Sequence, residues 1–397
     1  MTRVGADADR DLRRVLLLLA PAIMLVVATE FIVVGLLPPI AADFTLPLSA
    51  AGQLTAVFAI AAAVAGPFVT LAVSRVPAPT LLTAVLVLFG MGNGVIAVAA
   101  DFTLVLVMRA IQGAFLPALI GVGTAEVLRH TPAGTRGRAL ARANLGFVLG
   151  VLIALPAGIA LAQGGQWRLS FVVLAVVSLP VAAAVAILFP RNQMSAPPPP
   201  VSGNLAVLRG PRFLGHLALS VVIFAAMFSA YTYLGAWLED AIGLDAGGLA
   251  LAMLLFGAVG VAGNVAAERV ADRFPLAASA FAAVVLAVAV NAAAWTGGSI
   301  LAAAIPFALW SLMHTAGVTL SQVRVTLAGA KAPAFAMTMN ISAANLGIAV
   351  GALTGGWAVD RFGMVGLGSM PAALTVLALL LVLPLRVART QGRMAST

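Results

Sequence analysis

The sequence lacks cysteine and is poor in charged residues, and each absence limits what the protein can be. With 0 cysteines, disulfide bonds and thiolate chemistry are excluded. The 3 histidines form no group with Asp or Glu at metal-ligand spacing, so we expect neither a metal nor a cofactor. Charged residues make up 9% of the chain, against about 25% in soluble domains. This low charge excludes one or two water-soluble enzyme domains.

Apolar residues dominate what remains. They make up 62% of the 397 residues, which excludes a disordered chain. They fall in long runs separated by short polar breaks, and each run is long enough to cross a ~30 Å hydrocarbon layer as a helix. The runs are 14–37, 50–73, 80–100, 103–127, 139–162, 168–189, 212–235, 247–270, 277–296, 299–322, 334–358 and 366–386. The sequence therefore predicts an all-α membrane protein with twelve transmembrane helices, the first retained rather than cleaved.

The basic residues predict the orientation of these helices. With the N-terminus inside, two basic residues (Arg168 and Arg361) fall in outside loops and Arg109 falls within a span. All the other Lys and Arg residues, Arg324 and Lys331 among them, fall in inside segments. This asymmetry is the positive-inside rule, and an even number of spans then places both termini in the cytoplasm. The net charge of +9 thus reflects the orientation of the helices in the membrane. A nucleic-acid partner is not expected.

The longest polar stretch divides the chain into two parts of similar size. Residues 191–210 contain the proline run 197–200, and such a run is a stiff spacer. We therefore predict an N-terminal six-helix bundle over 1–190, a cytoplasmic linker over 191–210 and a C-terminal six-helix bundle over 211–397.

The two parts also resemble each other in sequence. Asn144-Leu145-Gly146 followed by Gly150 recurs as Asn345-Leu346-Gly347 followed by Gly351, at an offset of 201 residues. Internal repeats with a substrate site between them are common in secondary transporters, so the sequence predicts two pseudo-symmetric bundles.

Two charged residues within spans are the main candidates for function. Glu30 lies in an apolar segment of span one, about eight residues or ~12 Å before its predicted outer end. An acid inside a membrane span is costly and usually faces a cavity where it has a function. We expect Glu30 to exchange a proton with the medium. Arg109 is predicted at a similar depth in span four, where it could meet Glu30 directly, through Gln112 or through water; the alternative is a side chain that snorkels to the interface.

Weaker candidates lie in the second half and in span five. His314 is mid-span in helix ten, where an imidazole can relay a proton or bind a polar substrate, although a structural hydrogen bond is an equal alternative. Phe228 and Tyr231 share one face of span seven with Phe224, as packing residues or as the wall of a lipophilic cavity. The small and breaking residues of span five predict close helix packing and a bend. These are Gly146, Gly150, Pro156 and Gly158.

Several segments resemble the major facilitator superfamily, specifically its twelve-helix branch of drug:proton antiporters, which includes sugar, nucleoside and chloramphenicol exporters. Four segments carry the resemblance: Thr29-Glu30-Phe31 with Gly35-Leu36-Leu37-Pro38, Arg109-Ala110-Ile111-Gln112-Gly113, Pro132 with Arg136-Gly137-Arg138-Ala139, and Asn345-Leu346-Gly347 with Gly355-Gly356 and Asp360. The helix-five residues resemble its antiporter motif loosely, because Gly150 and Pro156 are separated.

This resemblance implies a cavity lined by helices one, four, seven and ten. By position the cavity would include Glu30, Arg109, Gln112, Phe228, Tyr231, Trp310 and His314, joined by Asn340 on helix eleven. The resemblance also implies gating residues at Asp272 and Arg273. The corresponding loop of the first half departs from the family pattern, since Arg75 stands there without an acid.

The sequence therefore predicts a secondary transporter that exports a small lipophilic molecule or drug in exchange for protons by alternating access. The alternative is an exporter, facilitator or importer of a sugar, nucleoside or similar metabolite. A sensor on a transporter fold would need an output domain, and an enzyme would need a nucleophile or ligand set, so neither is favoured. The expected setting is the bacterial cytoplasmic membrane, with substrate, protons and lipid as partners and a monomeric assembly.

Overall fold

The computed structural model describes residues 3–131, 145–162, 166–190, 207–271, 273–330 and 332–394, and nearly all of them are helical. Side chains are described within these ranges except at 3–9, 145, 333–334 and 387–394. The segments 132–144 and 191–206 lie outside the described residues. Most of the predicted linker, and the Pro132 and Arg136–Ala139 part of the resemblance, therefore receive no structural account.

Helices match the twelve predicted spans. The first six are α1 (Arg3–Asp43), α2 (Leu48–Ala72), α3 (Ala78–Val98), α4 (Phe102–Arg129), α5 (Leu145–Leu149 and Leu155–Leu161, joined by the π-helical turn Gly150–Ala154) and α6 (Trp167–Leu188). The next six are α7 (Pro211–Tyr231, continued by Leu234–Ala236 and the π-helical turn Trp237–Ala241), α8 (Ala246–Ala271), α9 (Pro275–Ala294), α10 (Ile300–Ala328), α11 (Pro333–Phe362) and α12 (Ser369–Met394). Eleven are long and apolar enough to span a membrane, and α5 is a shorter apolar helix over Gly146–Leu161.

The helices form two bundles with the same internal pairings. In the N-terminal bundle α2 packs on α4, α3 on α6 and α1 on α5. In the C-terminal bundle the equivalent pairs are α8 with α10, α9 with α12 and α7 with α11. Because each pairing recurs six helices later, the internal repeat predicted from the sequence is a structural repeat.

The ends of the helices form two faces of the molecule. The terminal face carries residue 10, the start of α7 and the end of α12; the opposite face carries the loops after α1, α3 and α9. At the opposite face Arg168 forms an ion pair with Asp43 and donates to the Ala99 carbonyl at 2.6 Å. This contact ties the start of α6 to the loops around it.

Close contacts join the bundles in the half nearer the opposite face. The main pairs are α2 with α11, α5 with α8, and α1 with the Leu234–Ala236 segment of α7. The Tyr233 side chain lies where Gly52 of α2 and Gly356 of α11 leave room for it, and its hydroxyl donates to the Ala352 carbonyl at 2.8 Å. No comparable contact joins α4 to α10 within the described ranges. The molecule is thus joined mainly at its opposite face.

The glycines of α5 allow that helix to lie directly against α1. A methyl group on Gly150 would lie 2.9 Å from the Met24 carbonyl oxygen, Gly146 abuts the backbone of Ala20, and Gly158 abuts Ile32. Pro156 follows the π-helical turn, at the start of the last segment of α5. These contacts agree with the predicted close packing of α5. The predicted role of these residues in gating stays a prediction.

Several helices extend beyond the predicted spans, and two of these extensions change the interpretation. α1 continues to Asp43 rather than ending at 37, so about 20 Å of helix separates Glu30 from the end of α1. α10 continues to Ala328 rather than ending at 322. The prediction that Arg324 lies in an inside loop is therefore wrong: it lies in α10 and is 1% exposed.

Candidate functional site

Arg109 connects three helices at the centre of the N-terminal bundle. Its side chain is fully buried. It donates from Nη1 to the Thr29 carbonyl (2.7 Å), from Nη2 to the Glu30 carbonyl (2.9 Å) and from Nε to the Leu54 carbonyl (3.2 Å). The guanidinium also lies 4.3 Å from the centre of the Phe58 ring. Arg109 is therefore anchored inside the bundle rather than snorkelling to the interface.

The carboxyl group of Glu30 stands apart from this network. Glu30 is partly buried, and among the described residues its carboxyl group has no hydrogen bond and no ion pair. Arg109 binds the backbone oxygen of Glu30 and interacts with its carboxylate electrostatically only. The Tyr231 hydroxyl of the other bundle is also within electrostatic reach of this carboxylate. Glu30 thus presents an acid at the boundary between the bundles.

Gln112 belongs to a separate polar chain within the N-terminal bundle. Its amide donates to Asn93 Oδ1 at 3.1 Å and to the Phe89 carbonyl at 3.3 Å, and Asn93 donates to Thr29 Oγ1 at 3.0 Å. Gln112 and Asn93 are both fully buried. Gln112 therefore joins α3 and α4 and does not bridge Arg109 to the Glu30 carboxylate, and its role toward a substrate stays a prediction.

An aromatic cluster faces Glu30 from the C-terminal bundle. The Tyr231 ring lies 5.4 Å from Phe228 and 4.5 Å from the His314 ring, and Phe228 lies 5.2 Å from His314. Phe256 of α8 packs on Tyr231 at 5.5 Å and on Trp310 at 6.0 Å. The structure thus brings together four of the residues that the sequence singled out on α7 and α10.

Two polar atoms in this cluster lack partners. Nδ1 of His314 and Nε1 of Trp310 are buried and have no hydrogen bond among the described residues. Trp310 is completely buried, whereas His314 is 7% exposed. Buried polar groups are almost always paired, so these two unpaired atoms of the aromatic cluster are typical of a site that binds a ligand or water.

Asn340 lies in a second polar cluster, away from Glu30. Its Oδ1 accepts from Ser220 at 2.8 Å and from Ser321 at 3.3 Å. Arg324 donates to Ser220 Oγ (2.9 Å), to the His216 carbonyl (2.8 Å) and to His216 Nδ1 (3.1 Å). We call these five residues the Arg324 cluster. It joins α7, α10 and α11 near the terminal face, so Asn340 is placed in helix packing and its predicted substrate contact stays untested.

The two predicted gating residues lie after α8. Arg273 is exposed at the terminal face, and Asp272 lies outside the described residues. Within the described ranges no group of three or more His, Cys, Asp or Glu side chains could hold a metal ion.

Some central residues were not singled out by the sequence. Phe31 contacts both bundles, with its ring 6.2 Å from Phe228 and 6.4 Å from Tyr231. Asn93 lies inside the apolar run 80–100 and Arg324 lies between Val323 and Val325. A polar residue in an apolar segment is the same signal that identified Glu30. Arg324 was missed because the apolar run was ended at 322, although Val323, Val325 and Leu327 continue it.

The candidate site consists of an acid and a buried arginine on one bundle and an aromatic cluster on the other. Its position between two bundles indicates the class of protein. Two repeated bundles of six membrane helices with a central site between them have the architecture of a secondary transporter.

Comparison with known proteins agrees with this architecture. The family model described as Major Facilitator Superfamily matches residues 19–332. The chain is 31% identical to the inner membrane transport protein YdhP of Escherichia coli O157:H7 over 89% of this chain and 91% of that protein. It is 31% identical to a chloramphenicol resistance protein of Streptomyces lividans over 85% of this chain and 87% of that protein.

The fold is also found among solved structures. A bacterial homologue of the human lysosomal transporter Spinster, in an inward-facing and occupied conformation, superposes with a TM-score of 0.76 at 16% identity, covering 95% of this chain and 96% of that one. This chain belongs to the Major Facilitator Superfamily, and it is a multi-pass membrane transporter.

Proposed function

We propose that this transporter exports a small lipophilic molecule in exchange for protons by alternating access. One observation carries the proposal: the Glu30 carboxyl group, at the boundary between the bundles, has no hydrogen-bond or ion-pair partner in the described part of the chain. An intramembrane acid without a fixed partner can bind a proton in one state and release it when cargo occupies the site. Arg109 lies close enough to favour that release.

The lining of the site supports a lipophilic cargo. Phe228, Tyr231, Phe256 and Trp310 pack against one another in a single aromatic cluster of the C-terminal bundle. A concave site with apolar walls and few polar groups suits drug-sized molecules. The similarity to a chloramphenicol resistance protein points in the same direction.

The sugar or nucleoside alternative receives less support. Such a cargo needs several side chains to satisfy its hydroxyl groups, and Gln112, His314 and Asn340 were the candidates. Gln112 and Asn340 already hold hydrogen bonds inside their own bundles. This leaves His314 as the polar group of the C-terminal wall.

The setting follows from the same proposal. The distribution of Lys and Arg supports a cytoplasmic terminal face, and the similarity to an inner membrane protein supports the bacterial cytoplasmic membrane. One proton moving down 100 mV supplies about 2.3 kcal/mol, so the exchange requires no cofactor. We further propose that the monomer is the working unit.

The experiment is substrate-induced proton release from purified protein, followed by transport in liposomes. Chloramphenicol, tetraphenylphosphonium, arabinose and uridine serve as probes. We expect release with one of the first two and none from Glu30→Gln, while that variant still moves the probe down its gradient. Glu268→Gln is the matched control, since Glu268 is exposed at the terminal end of α8, and it should behave as wild type. Undiminished proton release from Glu30→Gln would refute the coupling role.

A further inference from the structure

Phe31 is the point where aromatic rings of the two bundles meet. It follows Glu30 on α1 and is 8% exposed. Its ring contacts Phe228 at 6.2 Å and Tyr231 at 6.4 Å in the C-terminal bundle, and Phe147 of α5 at 6.2 Å in its own bundle. In the described part of the chain, the ring contacts of Phe31 with Phe228 and Tyr231 are the ones that cross between the bundles.

The two rings that Phe31 covers also form the wall of the candidate site. Phe228 and Tyr231 pack on each other and on His314 of α10. Phe31 therefore lies on the N-terminal side of this wall, beside the Glu30 carboxyl group. The Tyr231 hydroxyl is within electrostatic reach of the Glu30 carboxylate, so a ligand ring bound at Glu30 would compete with Phe31 for this pair of rings.

The geometry of the contacts also fits this role. The Phe31 ring is near perpendicular to Tyr231 (74°) and tilted by 31° to Phe228. Edge-to-face and offset arrangements are favourable between aromatic rings, and each such pair changes an equilibrium by about two- to tenfold. A cargo ring gains contacts of the same kind only after those of Phe31 are given up.

We propose that Phe31 occupies the aromatic subsite of the cargo when the transporter is empty, and that it thereby limits the size of the cargo and holds the empty site closed. This inference rests on the proposed function, because it assumes a cargo that carries an aromatic ring. It assigns a specificity role to a residue of α1 that the functional proposal does not use.

The binding experiment compares probes of increasing bulk. Chloramphenicol carries one ring and tetraphenylphosphonium carries four, and their dissociation constants are measured for wild type, Phe31→Leu and Phe31→Trp. Phe31→Leu keeps an apolar side chain and removes the ring. We expect it to bind both probes more tightly, tetraphenylphosphonium by about three- to tenfold and chloramphenicol by about two- to threefold. Phe31→Trp should weaken tetraphenylphosphonium binding by a similar factor.

The matched control is Phe171→Leu. Phe171 is 1% exposed and packs on Trp167 within the N-terminal bundle, so it reports what loss of a buried ring does without a contact between the bundles. Its binding constants should equal those of wild type. Weaker binding of both probes to Phe31→Leu would make Phe31 a wall that contacts cargo, and unchanged binding would show that it takes no cargo space. Both results would overturn the proposal.

A readout without cargo separates this inference from the proposed function. Because the chain has 0 cysteines, Ser49→Cys introduces a single thiol, at a position that lies against Gly356 of α11 across the closed opposite face. Adding Phe31→Leu should raise its rate of labelling by a hydrophilic maleimide about threefold, as the bundles separate more often. If wild type binds and transports no probe, the proposed function fails. If the labelling rate does not rise, the Phe31 proposal fails whatever the cargo is.

Discussion

Two buried arginines, one in each bundle, differ in what holds them. Arg109 is 0% exposed and Arg324 is 1% exposed, and neither has a carboxylate within ion-pair distance among the described residues. Arg109 donates to backbone carbonyls of α1 and α2. In the other bundle, three of the four acceptors of Arg324 are side-chain atoms, namely the Ser220 and Ser321 hydroxyls and the His216 ring.

The difference indicates how a buried charge can serve either chemistry or packing. Backbone carbonyls hold Arg109 in place, and the neighbouring Glu30 carboxyl group has no hydrogen bond or ion pair among the described residues, as the proposed proton exchange requires. Arg324 instead donates mainly to polar side chains. Arg109 therefore joins three helices through backbone oxygens beside an acid, whereas the Arg324 cluster joins three helices through polar side chains and contains no acid.

The repeat shows that the two arginines are not equivalent positions. The offset of 201 residues that relates the two Asn-Leu-Gly segments carries Arg109 onto Trp310. Trp310 belongs to the aromatic cluster, whereas Arg324 lies near the terminal end of α10. Arg324 lies 215 residues after Arg109, well beyond this offset, so the two buried arginines are not related by the repeat.

The largest effect is expected from Arg109. Arg109→Met removes three hydrogen bonds and the contact with Phe58. We expect proton-coupled transport to fall by at least about 100-fold, because each hydrogen bond to a charged group contributes about 1.5–3 kcal/mol. Arg109→Lys should rescue little, since an ammonium cannot match the planar fork of a guanidinium. Counterflow in liposomes measures both. Wild-type transport by Arg109→Met would show that the two arginines have the same structural role.

The next effect concerns pH. If a proton on Glu30 competes with cargo, cargo affinity in wild type should fall as the pH is lowered from 8 to 6, by up to about tenfold per unit for one proton. Glu30→Gln should bind with the same affinity at both pH values, because the amide cannot titrate. Equilibrium binding of tetraphenylphosphonium measures this. A pH dependence that persists in Glu30→Gln would place the coupling proton elsewhere.

Arg324 should affect stability more than coupling. Arg324→Met removes the common donor of the Arg324 cluster, and hydrogen bonds to a charged group contribute about 1.5–3 kcal/mol. We expect a lower unfolding temperature in detergent and an unchanged ratio of protons to cargo. A changed ratio at wild-type stability would contradict the contrast with Arg109.

The smallest effect is expected from Asn340. Asn340→Ala removes the acceptor of Ser220 and Ser321 and should lower stability by about 1 kcal/mol, with the cargo dissociation constant unchanged. Thermal unfolding and cargo binding of the same preparation separate these outcomes. If instead binding weakened at wild-type stability, Asn340 would belong to the cargo site that the sequence proposed for it.

Much of the fold could be predicted because bilayer thickness and hydropathy act locally. Every predicted span corresponds to a helix, and the break between the halves fell between α6 and α7. The misjudged ends, at 37 and 322, lie where polar or proline residues follow an apolar run, and tertiary packing continued the helix there. Pro38 and Pro39 lie inside α1, whereas in a local sequence pattern a proline pair predicts the end of a helix.

The sequence located part of the candidate site. It proposed Glu30 and Arg109 because a charge in an apolar span is costly and conspicuous, and their functional roles stay predictions. Phe31 was not proposed, because an aromatic ring in such a span has no local signal that separates a contact between bundles from ordinary packing. Gln112 and Asn340 were grouped with the site by helix number, whereas hydrogen-bond partners on other helices place them inside the bundles.

The order of apolar and polar residues by itself determined a twelve-helix membrane protein, its repeat and the acid at its centre, because transfer from water to lipid depends on each segment alone. Only the tertiary structure decided that Arg109 binds carbonyl oxygens rather than the Glu30 carboxylate, and that Phe31 covers the aromatic wall. Those outcomes depend on which helices lie side by side, and that arrangement follows from packing between segments distant in the chain.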